Sequence, residues 1–273
     1  MSAVQLGTAP FMTTIDPPQR LAVDFPGDLA LDQDHEWCRV TVDGRTRDIR
    51  FHDYHEIYAV PGLYEFLFYE RLECCSPEVV RGLLESELDR AGVDPETLRV
   101  LDLGAGNGMV GEELADLGVG QITGVDLIPE AAAAAQRDRP GVYADYFVLD
   151  LTELSPADRH ELSARRFNAL VTVAALGFGD IPPRAFAEAF NTVADGGWIA
   201  FNIKEHFLDD GDSTGFSRLI AKLLENGSLE QRAEKVYRHR LSTNGEPLDY
   251  VALVGVKRSG VSAELIEEAE RTP

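Results

Sequence analysis

Lysine is close to absent from this chain. Among 273 residues there are four, Lys204, Lys222, Lys235 and Lys257, and every other basic residue is an arginine. Basic residues number 25 against 47 acidic ones, a formal net charge of −22. A surface this acidic repels the phosphates of nucleic acids and of anionic membranes. Neither is expected as a partner, and an exception would have to use a local cluster: Arg45, Arg47 and Arg50, or Arg238 and Arg240. A high-salt cytoplasm and an arginine-favouring, GC-rich genome account for the lysine shortage equally well. Cysteine is also scarce. Cys38, Cys74 and Cys75 show neither metal-ligand spacing nor a disulfide framework, and neighbouring residues do not easily meet disulfide geometry. Reduced, partly buried thiols are expected. The six histidines form no paired ligand pattern, so no metal is expected. Long apolar runs are missing too. No stretch reaches the roughly 20 residues of a membrane-spanning helix. The opening MSAVQLGTAPFMTTIDPP lacks the basic start and apolar core of a secretory signal. The expected location is cytoplasmic. A hydrophobic fraction of 44% is ordinary for a soluble globular protein, and the length suits one substantial domain with an appendage, or two small ones.

The most informative stretch is residues 97–108, TLRVLDLGAGNG. An apolar run, Val100, Leu101 and Leu103, carries one acidic residue, Asp102, and then breaks into glycines at alternate positions, Gly104, Gly106 and Gly108. Amphipathic sequence, GMVGEELADLG, follows at once. The pattern predicts a buried strand, a tight turn and a helix. Glycine is needed where backbone takes positive φ or lies against a ligand. A ligand at the carboxyl end of the strand is the usual use of such a turn in an open α/β sheet. A dinucleotide site prefers G-x-G-x-x-G, but the last glycine of that pattern would fall on Met109. A dinucleotide's pyrophosphate is stabilised by a helix N-terminus. Here Asp102 precedes the turn and Glu112 and Glu113 follow it, a field better suited to a cation.

The run resembles motif I of the class I S-adenosylmethionine (SAM) methyltransferases, in the form hydrophobic-x-D/E-x-G-x-G-x-G. SAM carries a sulfonium and an ammonium, which suits that field. On this resemblance Asp102, Gly104, Ala105, Gly106, Asn107 and Gly108 are cofactor-binding candidates. Residues 121–127, QITGVDL, form a second strand ending at Asp126, which is placed to accept from ribose hydroxyls. Asp126 and Leu127 join the candidates; capping the helix that opens near Pro129 is the structural alternative for Asp126. A third strand lies in residues 142–151, VYADYFVLDL. The resemblance implies that Asp150 accepts from the adenine amino group while Leu151 covers the ring. Otherwise Asp150 is a solvated loop residue before a helix at 155–165, which Ser155 would cap. Strands at 167–178, with Ala174 a further cofactor candidate, and at 196–203 flank a helix at 183–193. Strands at 234–243 and 248–258, joined at Asn244-Gly245, form an antiparallel hairpin. The expected fold is α/β: a Rossmann-like class I methyltransferase core over residues 97–258, with a seven-stranded, mostly parallel sheet closed by that hairpin. GAGNGMVGEELADLG followed by GVDLIPEA further resembles the type 11/12 and Williams–Beuren-region methyltransferase-like group.

Residues 1–35 are rich in proline, glycine and aspartate and are expected to be loosely ordered. Residues 36–96 read as a β-hairpin and helical lid: alternating strands at 37–51 around Asp43-Gly44, then aromatic-dense helices divided by Pro61-Gly62, then a helix at 77–91. The stretch from Tyr54 to Tyr58 resembles the tyrosine-bearing segment that lies over the methionine end of the cofactor, making Tyr58 a candidate. Packing of the lid onto the sheet is the alternative, and the preferred reading for Tyr64, Phe66 and Phe68. Residues 259–273 read as a C-terminal tail.

Methyl transfer from SAM is an in-line displacement, and the protein mainly aligns the acceptor and excludes water. A general base is required only where the acceptor arrives protonated. His206, after the fifth strand, and His55 are the candidates. The fourth strand is followed neither by [N/D]-P-P-[Y/F] nor by a cysteine. That argues against an amide-clamping N-methyltransferase and against a covalent cytosine mechanism. The expected activity moves a methyl group from SAM to an O or N atom of a small molecule, leaving S-adenosyl-L-homocysteine (SAH). A protein side-chain methyltransferase docking through Arg45, Arg47 and Arg50 stays open, as does a non-catalytic SAM-binding partner subunit. An NAD-dependent oxidoreductase is disfavoured by Met109. The exposed hairpin edge at 37–51 offers a homodimer contact.

Overall fold

The computed structural model describes residues 21–26, 33–176, 180–204 and 215–270. Period-two alternation builds its N-terminal sheet. Strands β1 (Leu21–Asp24), β2 (Trp37–Val42) and β3 (Arg45–Arg50) pair antiparallel in the order β1-β2-β3. Val23, Cys38, Val40 and Ile49 are buried on one face. Asp43 and Gly44 turn between β2 and β3 with φ of 49° and 82°, the positive pair a type I′ hairpin turn needs. The hairpin therefore gains a third strand from residues expected to be loosely ordered: Val23 sits opposite Val40 and shares its buried face. Helices α1 (Tyr54–Tyr58) and α2 (Leu63–Glu65) follow, the second running into a π-helical turn over Phe66–Arg71. Helix α3 (Ser76–Ala91) then leads into the core.

The core alternates strands and helices: β4 (Arg99–Leu103), α4 (Met109–Asp116), β5 (Gln121–Asp126), α5 (Pro129–Asp138), β6 (Asp145–Val148), α6 (Pro156–Ala164), β7 (Ala169–Thr172), α7 (Pro183–Thr192) and β8 (Trp198–Lys204). Helix α8 (Phe216–Glu225), strands β9 (Leu229–Leu241) and β10 (Pro247–Lys257), and helix α9 (Ala263–Glu270) complete it. The seven strands lie in the order β6-β5-β4-β7-β8-β10-β9. The first five in that order are parallel, and β10 runs antiparallel to both β8 and β9. Strand order reverses between β4 and β7, which opens a crevice at their carboxyl ends. Along β4, Leu101 and Leu103 face a core with Phe186, Phe190 and Phe216 of α7 and α8. Val100 faces the opposite core, where Leu84 of α3 and Leu114 of α4 pack.

Three expectations need correction. The fourth strand stops at Thr172, well short of 178, because Ala174 enters the left-handed region at φ 55°. Strand β9 starts earlier than 234, at buried Leu229: the residues that follow, Glu230 to Lys235, are mostly polar and lie on a sheet edge without apolar alternation. Residues 259–273 contain more than a tail, since α9 buries Ile266 and Ala269 against the layer of α7 and α8.

The N-terminal unit is fixed to the core by polar contacts around an aromatic cluster. Glu36 is fully buried; its Oε2 accepts from Arg240 Nη2 at 2.5 Å and its Oε1 from the Thr243 amide at 2.6 Å. Arg139, after α5, donates to Glu65 of α2 at 2.7 Å and to Glu112 of α4 at 2.8 Å. Arg137 donates to the Tyr58 carbonyl at 3.0 Å. Arg240 is thus no surface cation, and Arg238 pairs with Glu73 at 3.0 Å. Truncating one partner of a buried ion pair strands the other charge, a penalty of about 3–5 kcal/mol. Arg240→Ala is expected to lower unfolding stability by that order in urea titrations. Glu36→Gln combined with Arg240→Met is expected to recover most of the loss.

Candidate active site

Residues Gly104 to Gly106 turn sharply from β4 into α4. Their backbone is stitched to the end of β5: the Gly104 and Ala105 amides donate to the Val125 carbonyl at 2.9 and 3.2 Å, and the Gly106 amide donates to Asp126 Oδ2 at 3.0 Å. Gly104 and Gly106 have φ of 72° and 54°, a region side chains with a Cβ rarely adopt. Space excludes a Cβ as well. At Gly104 it would lie 2.8 Å from Ala175 Cβ and 2.9 Å from Ile181 Cδ1, and at Gly106 it would collide with the Tyr58 hydroxyl.

A cavity of about 460 Å³ opens beside this turn, within the range of small-ligand sites. Its floor comes from strand ends, Leu103, Gly104, Val125 and Val173; its opposite wall is aromatic, Tyr54, Tyr58 and Tyr64. No lysine or arginine is among the described residues lining it, whereas Asp126, Asp150 and Asp180 are. Burial pushes the Asp126 carboxyl above its ordinary range, against three backbone amides that favour its ionised form.

The candidate residues fall into three groups. Gly104, Asp126, Leu127, Asp150, Leu151, Ala174, Tyr58 and His55 line the cavity. Within it, Asp126 Oδ1 also accepts from the Ile128 amide at 3.2 Å, and Asp150 Oδ1 accepts from the Thr152 amide at 2.8 Å. Ser155 caps α6 through a capping box with Asp158. Asp102, Ala105, Gly106, Asn107 and Gly108 lie behind the lining. Asp102 is fully buried, and its Oδ2 accepts from the Tyr143 hydroxyl at 2.7 Å while its Oδ1 has no partner. Asn107 donates to Glu65 and Asp138 at 3.1 and 3.3 Å. Gly108 precedes α4 as its N-cap. His206 falls outside the described residues.

Several lining groups have no local signature in the sequence. His52 Nδ1 and Asp180 Oδ2 are 2.8 Å apart across 128 residues of chain. Tyr64, expected to be packing only, is a wall residue. Asn202 on β8 is fully buried and holds Ala174 in place: its Oδ1 accepts from the Ala174 amide at 2.6 Å, and its Nδ2 donates to the Tyr237 hydroxyl at 2.7 Å and to Ser76 Oγ at 3.1 Å. Each pairing joins separate elements, so only the fold reveals it.

A glycine turn at the switch point of this sheet, backed by Asp126 and closed by an antiparallel hairpin, defines a Rossmann-like methyltransferase. A family model described as a methyltransferase domain matches residues 78–241; the chain belongs to that family and is a SAM-dependent methyltransferase. The ubiquinone biosynthesis O-methyltransferase of Xanthomonas axonopodis pv. citri (strain 306) is 39% identical over 67 residues, 24% of this chain. The match spans only 28% of that protein's length. Among solved structures, the N-methyltransferase NodS from Bradyrhizobium japonicum WM9, in complex with SAH, superposes with a TM-score of 0.53 at 16% identity. The superposition covers 77% of this chain and 98% of NodS, a likeness of fold.

Burial, reinforced by the charge of Asp126 and opposed by the Tyr143 hydrogen bond, pushes the Asp102 carboxyl from an ordinary 3.8 up to about 7. The folded state thus holds this proton more tightly than the unfolded chain. Its contribution to stability is complete below about pH 4 and is lost as the pH rises to about 7. Asp102→Asn is expected to remove that slope. In urea unfolding, its stability relative to the parent should climb between pH 4 and 7 and level off above.

Proposed function

We propose that this methyltransferase acts on a small molecule, transferring the methyl group of SAM to an acceptor oxygen or nitrogen. The observation that carries the reading is the charge and enclosure of the cavity. It is walled by aspartates and tyrosines, and no described lysine or arginine lines it. That suits a sulfonium cofactor and does not suit a dinucleotide's pyrophosphate. The fit extends to hydrogen bonding. Asp126 sits at the wall with its carboxylate oriented by backbone amides, among them those of Gly106 and Ile128, and faces the cavity as an acceptor for ribose hydroxyls. Asp150 and Leu151 stand beside it for the adenine end, and Gly104 lines the same cavity at the turn.

When bound, SAM supplies a methyl carbon already activated by a sulfonium. What remains for the chain is to hold the acceptor in line and to keep water away. Tyr54, Tyr58 and Tyr64 serve the second task by walling the cavity on the side away from the sheet. His55 is at the same wall, exposed, and is the described one of the two histidines singled out from sequence as a general base. A small acceptor is favoured over a protein side chain because two of the three arginines of the docking patch, Arg47 and Arg50, are already matched. Arg39 pairs with Asp48, Arg47 with Glu56 and Arg50 with Asp53, each at 2.7 Å. The partly matching O-methyltransfer protein of ubiquinone biosynthesis supports the same reading.

Calorimetric titration with SAM, SAH and NAD tests the proposal. SAM and SAH are expected to bind and NAD not. Asp126→Ala removes a charge-assisted acceptor worth about 1.5–3 kcal/mol, so a loss of roughly tenfold or more in affinity for both is expected. Preferential binding of NAD, or an Asp126→Ala variant with unchanged affinity, would overturn it.

A further inference from the structure

Two tyrosines hold the glycine turn, although neither is among the residues lining the cavity. Tyr143 lies just before β6 and Tyr146 within it. The Tyr143 hydroxyl donates to Asp102 Oδ2 at 2.7 Å and shares its proton with the Ala105 carbonyl at 3.3 Å. The Tyr146 hydroxyl donates to the Gly106 carbonyl at 2.8 Å. The two rings meet edge to face, with centroids 5.2 Å apart. Burial raises both phenols above their ordinary range, reinforced by the charge of Asp102 at Tyr143 and of Asp126 at Tyr146. Both therefore keep the proton they donate.

Room for these rings comes from glycine. A Cβ at Gly111 would lie 2.7 Å from Tyr143 Cζ, and one at Gly124 would lie 2.9 Å from Tyr146 Cδ2. Gly111 stands inside α4 and Gly124 inside β5. Glycine weakens the interior of either kind of element, so each position calls for a packing reason. The two tyrosines supply it.

Together these bonds pin both peptide groups that flank Gly106. The peptide from Ala105 to Gly106 is held at its two ends: the carbonyl accepts from the Gly108 amide at 3.0 Å as well as from Tyr143, and the amide donates to Asp126 Oδ2 at 3.0 Å. The next peptide, from Gly106 to Asn107, is fixed at its carbonyl by Tyr146. Glycine has the widest backbone freedom of any residue, so an unpinned turn would give up that freedom only on binding a ligand. Ordering the turn beforehand lowers the cost of binding. The Gly106 amide also orients Asp126, so a turn that moves would release that carboxylate.

We propose that Tyr143 and Tyr146 are positioning residues for the cofactor. They act through the Gly106 backbone to hold Asp126 ready for the ribose, and so set the affinity for SAM and SAH without touching either. The inference rests on the assignment of Asp126 to the ribose hydroxyls made above.

The test is calorimetric titration of the full chain with SAH. Tyr143→Phe and Tyr146→Phe keep the rings and remove only the hydroxyls. Each is expected to weaken SAH about fivefold, the worth of one neutral hydrogen bond. A merely structural role would lower stability and leave the affinity of the folded protein alone. Asn191→Ala controls for that. Asn191 donates to the Val261 carbonyl at 2.9 Å and accepts from the Val261 amide at 2.8 Å, and neither residue lines the cavity. This variant should unfold at lower urea yet bind SAH within about twofold of the parent, as expected for an independent site. In an Asp126→Ala background, Tyr146→Phe should cost less than about twofold, because the group it acts through is gone. Hydrogen exchange reads the turn directly: the Gly106 amide should be protected in the ligand-free parent and lose protection in Tyr146→Phe. Parent affinity in either phenylalanine variant, or the full loss persisting in the Asp126→Ala background, overturns the proposal and leaves the ribose assignment standing. Asp126→Ala with parent affinity counts instead against the ribose assignment, and the proposal falls with it. Where Asp126→Ala binds too weakly to titrate, the single variants decide. If the phenylalanine variants fail to fold, the parent's Gly106 amide decides: exchange at the rate of an unpaired loop amide overturns the proposal, and protection supports it.

Discussion

The buried pairing of Glu36 with Arg240 is the constraint on which the cavity depends. The sheet alone supplies one wall; the other belongs to a unit that precedes it in sequence and must be seated in one position. Glu36 precedes β2 and Arg240 lies on β9, and both are removed from solvent. The guanidinium also lies 5.6 Å from the Phe51 ring and 5.9 Å from the Phe68 ring, so the ion pair is set into the aromatic cluster of the N-terminal unit. A pair this buried adds little net stability, because desolvation offsets most of the attraction. What it does is penalise every other seating, since a shifted unit would leave a charge buried and unmatched. The contacts of Arg139 with Glu65 and Glu112 impose the same condition on the opposite flank.

Electrostatics links that geometry to the ligand. Asp102 and Asp126 are held above their ordinary range chiefly by burial, and the charge of Asp126 adds to the shift at Asp102. In the free protein these acids are an unfavourable arrangement. A cation in the crevice reverses the balance, because low-dielectric surroundings strengthen attraction as much as repulsion. A positive cofactor therefore lowers the cost of ionising both carboxyls. The scarcity of basic residues noticed in the sequence has its counterpart here, in a lining whose described residues include aspartates and neither lysine nor arginine.

Much of the sheet and part of the site were legible before any coordinates. Segments 121–127 and 196–203 became strands at nearly the expected bounds, and 97–108 became the expected strand, over Arg99–Leu103, running into the glycine turn. Gly104 and Gly106 were legible because their backbone requirement is local. The antiparallel hairpin followed from Asn244-Gly245 between two alternating runs. What escaped was non-local. His52 meets Asp180, Gln33 meets Tyr250, and Asn202 meets Ala174, each joining elements far apart in the chain. The start of β9 escaped for a different reason: after buried Leu229, the stretch from Glu230 to Lys235 is mostly polar at a sheet edge, so apolar periodicity says nothing about it. Helix α9 buries only Ile266 and Ala269 among acidic neighbours, a pattern too sparse to separate from a solvated tail.

The cavity beside the glycine turn and a second one of about 40 Å³ thus obey different rules, and they meet at Ala174. The larger cavity takes much of its lining from strand ends with local sequence signatures and the smaller one from residues far apart in the chain, so the second can change without disturbing the first. Ala174 belongs to both cavities and pays for its place in backbone strain, a left-handed φ of 55° on a residue with a Cβ. Such a conformation costs about 1–2 kcal/mol and persists only where surroundings over-determine it. Here they do: Asn202 accepts the Ala174 amide and is itself locked by Tyr237 and Ser76, all within the core. Glycine would adopt that φ with less strain, but it would leave the junction without the Ala174 methyl. The side chain is therefore best explained by the wall it completes, and the buried network beneath it by the need to hold that wall still.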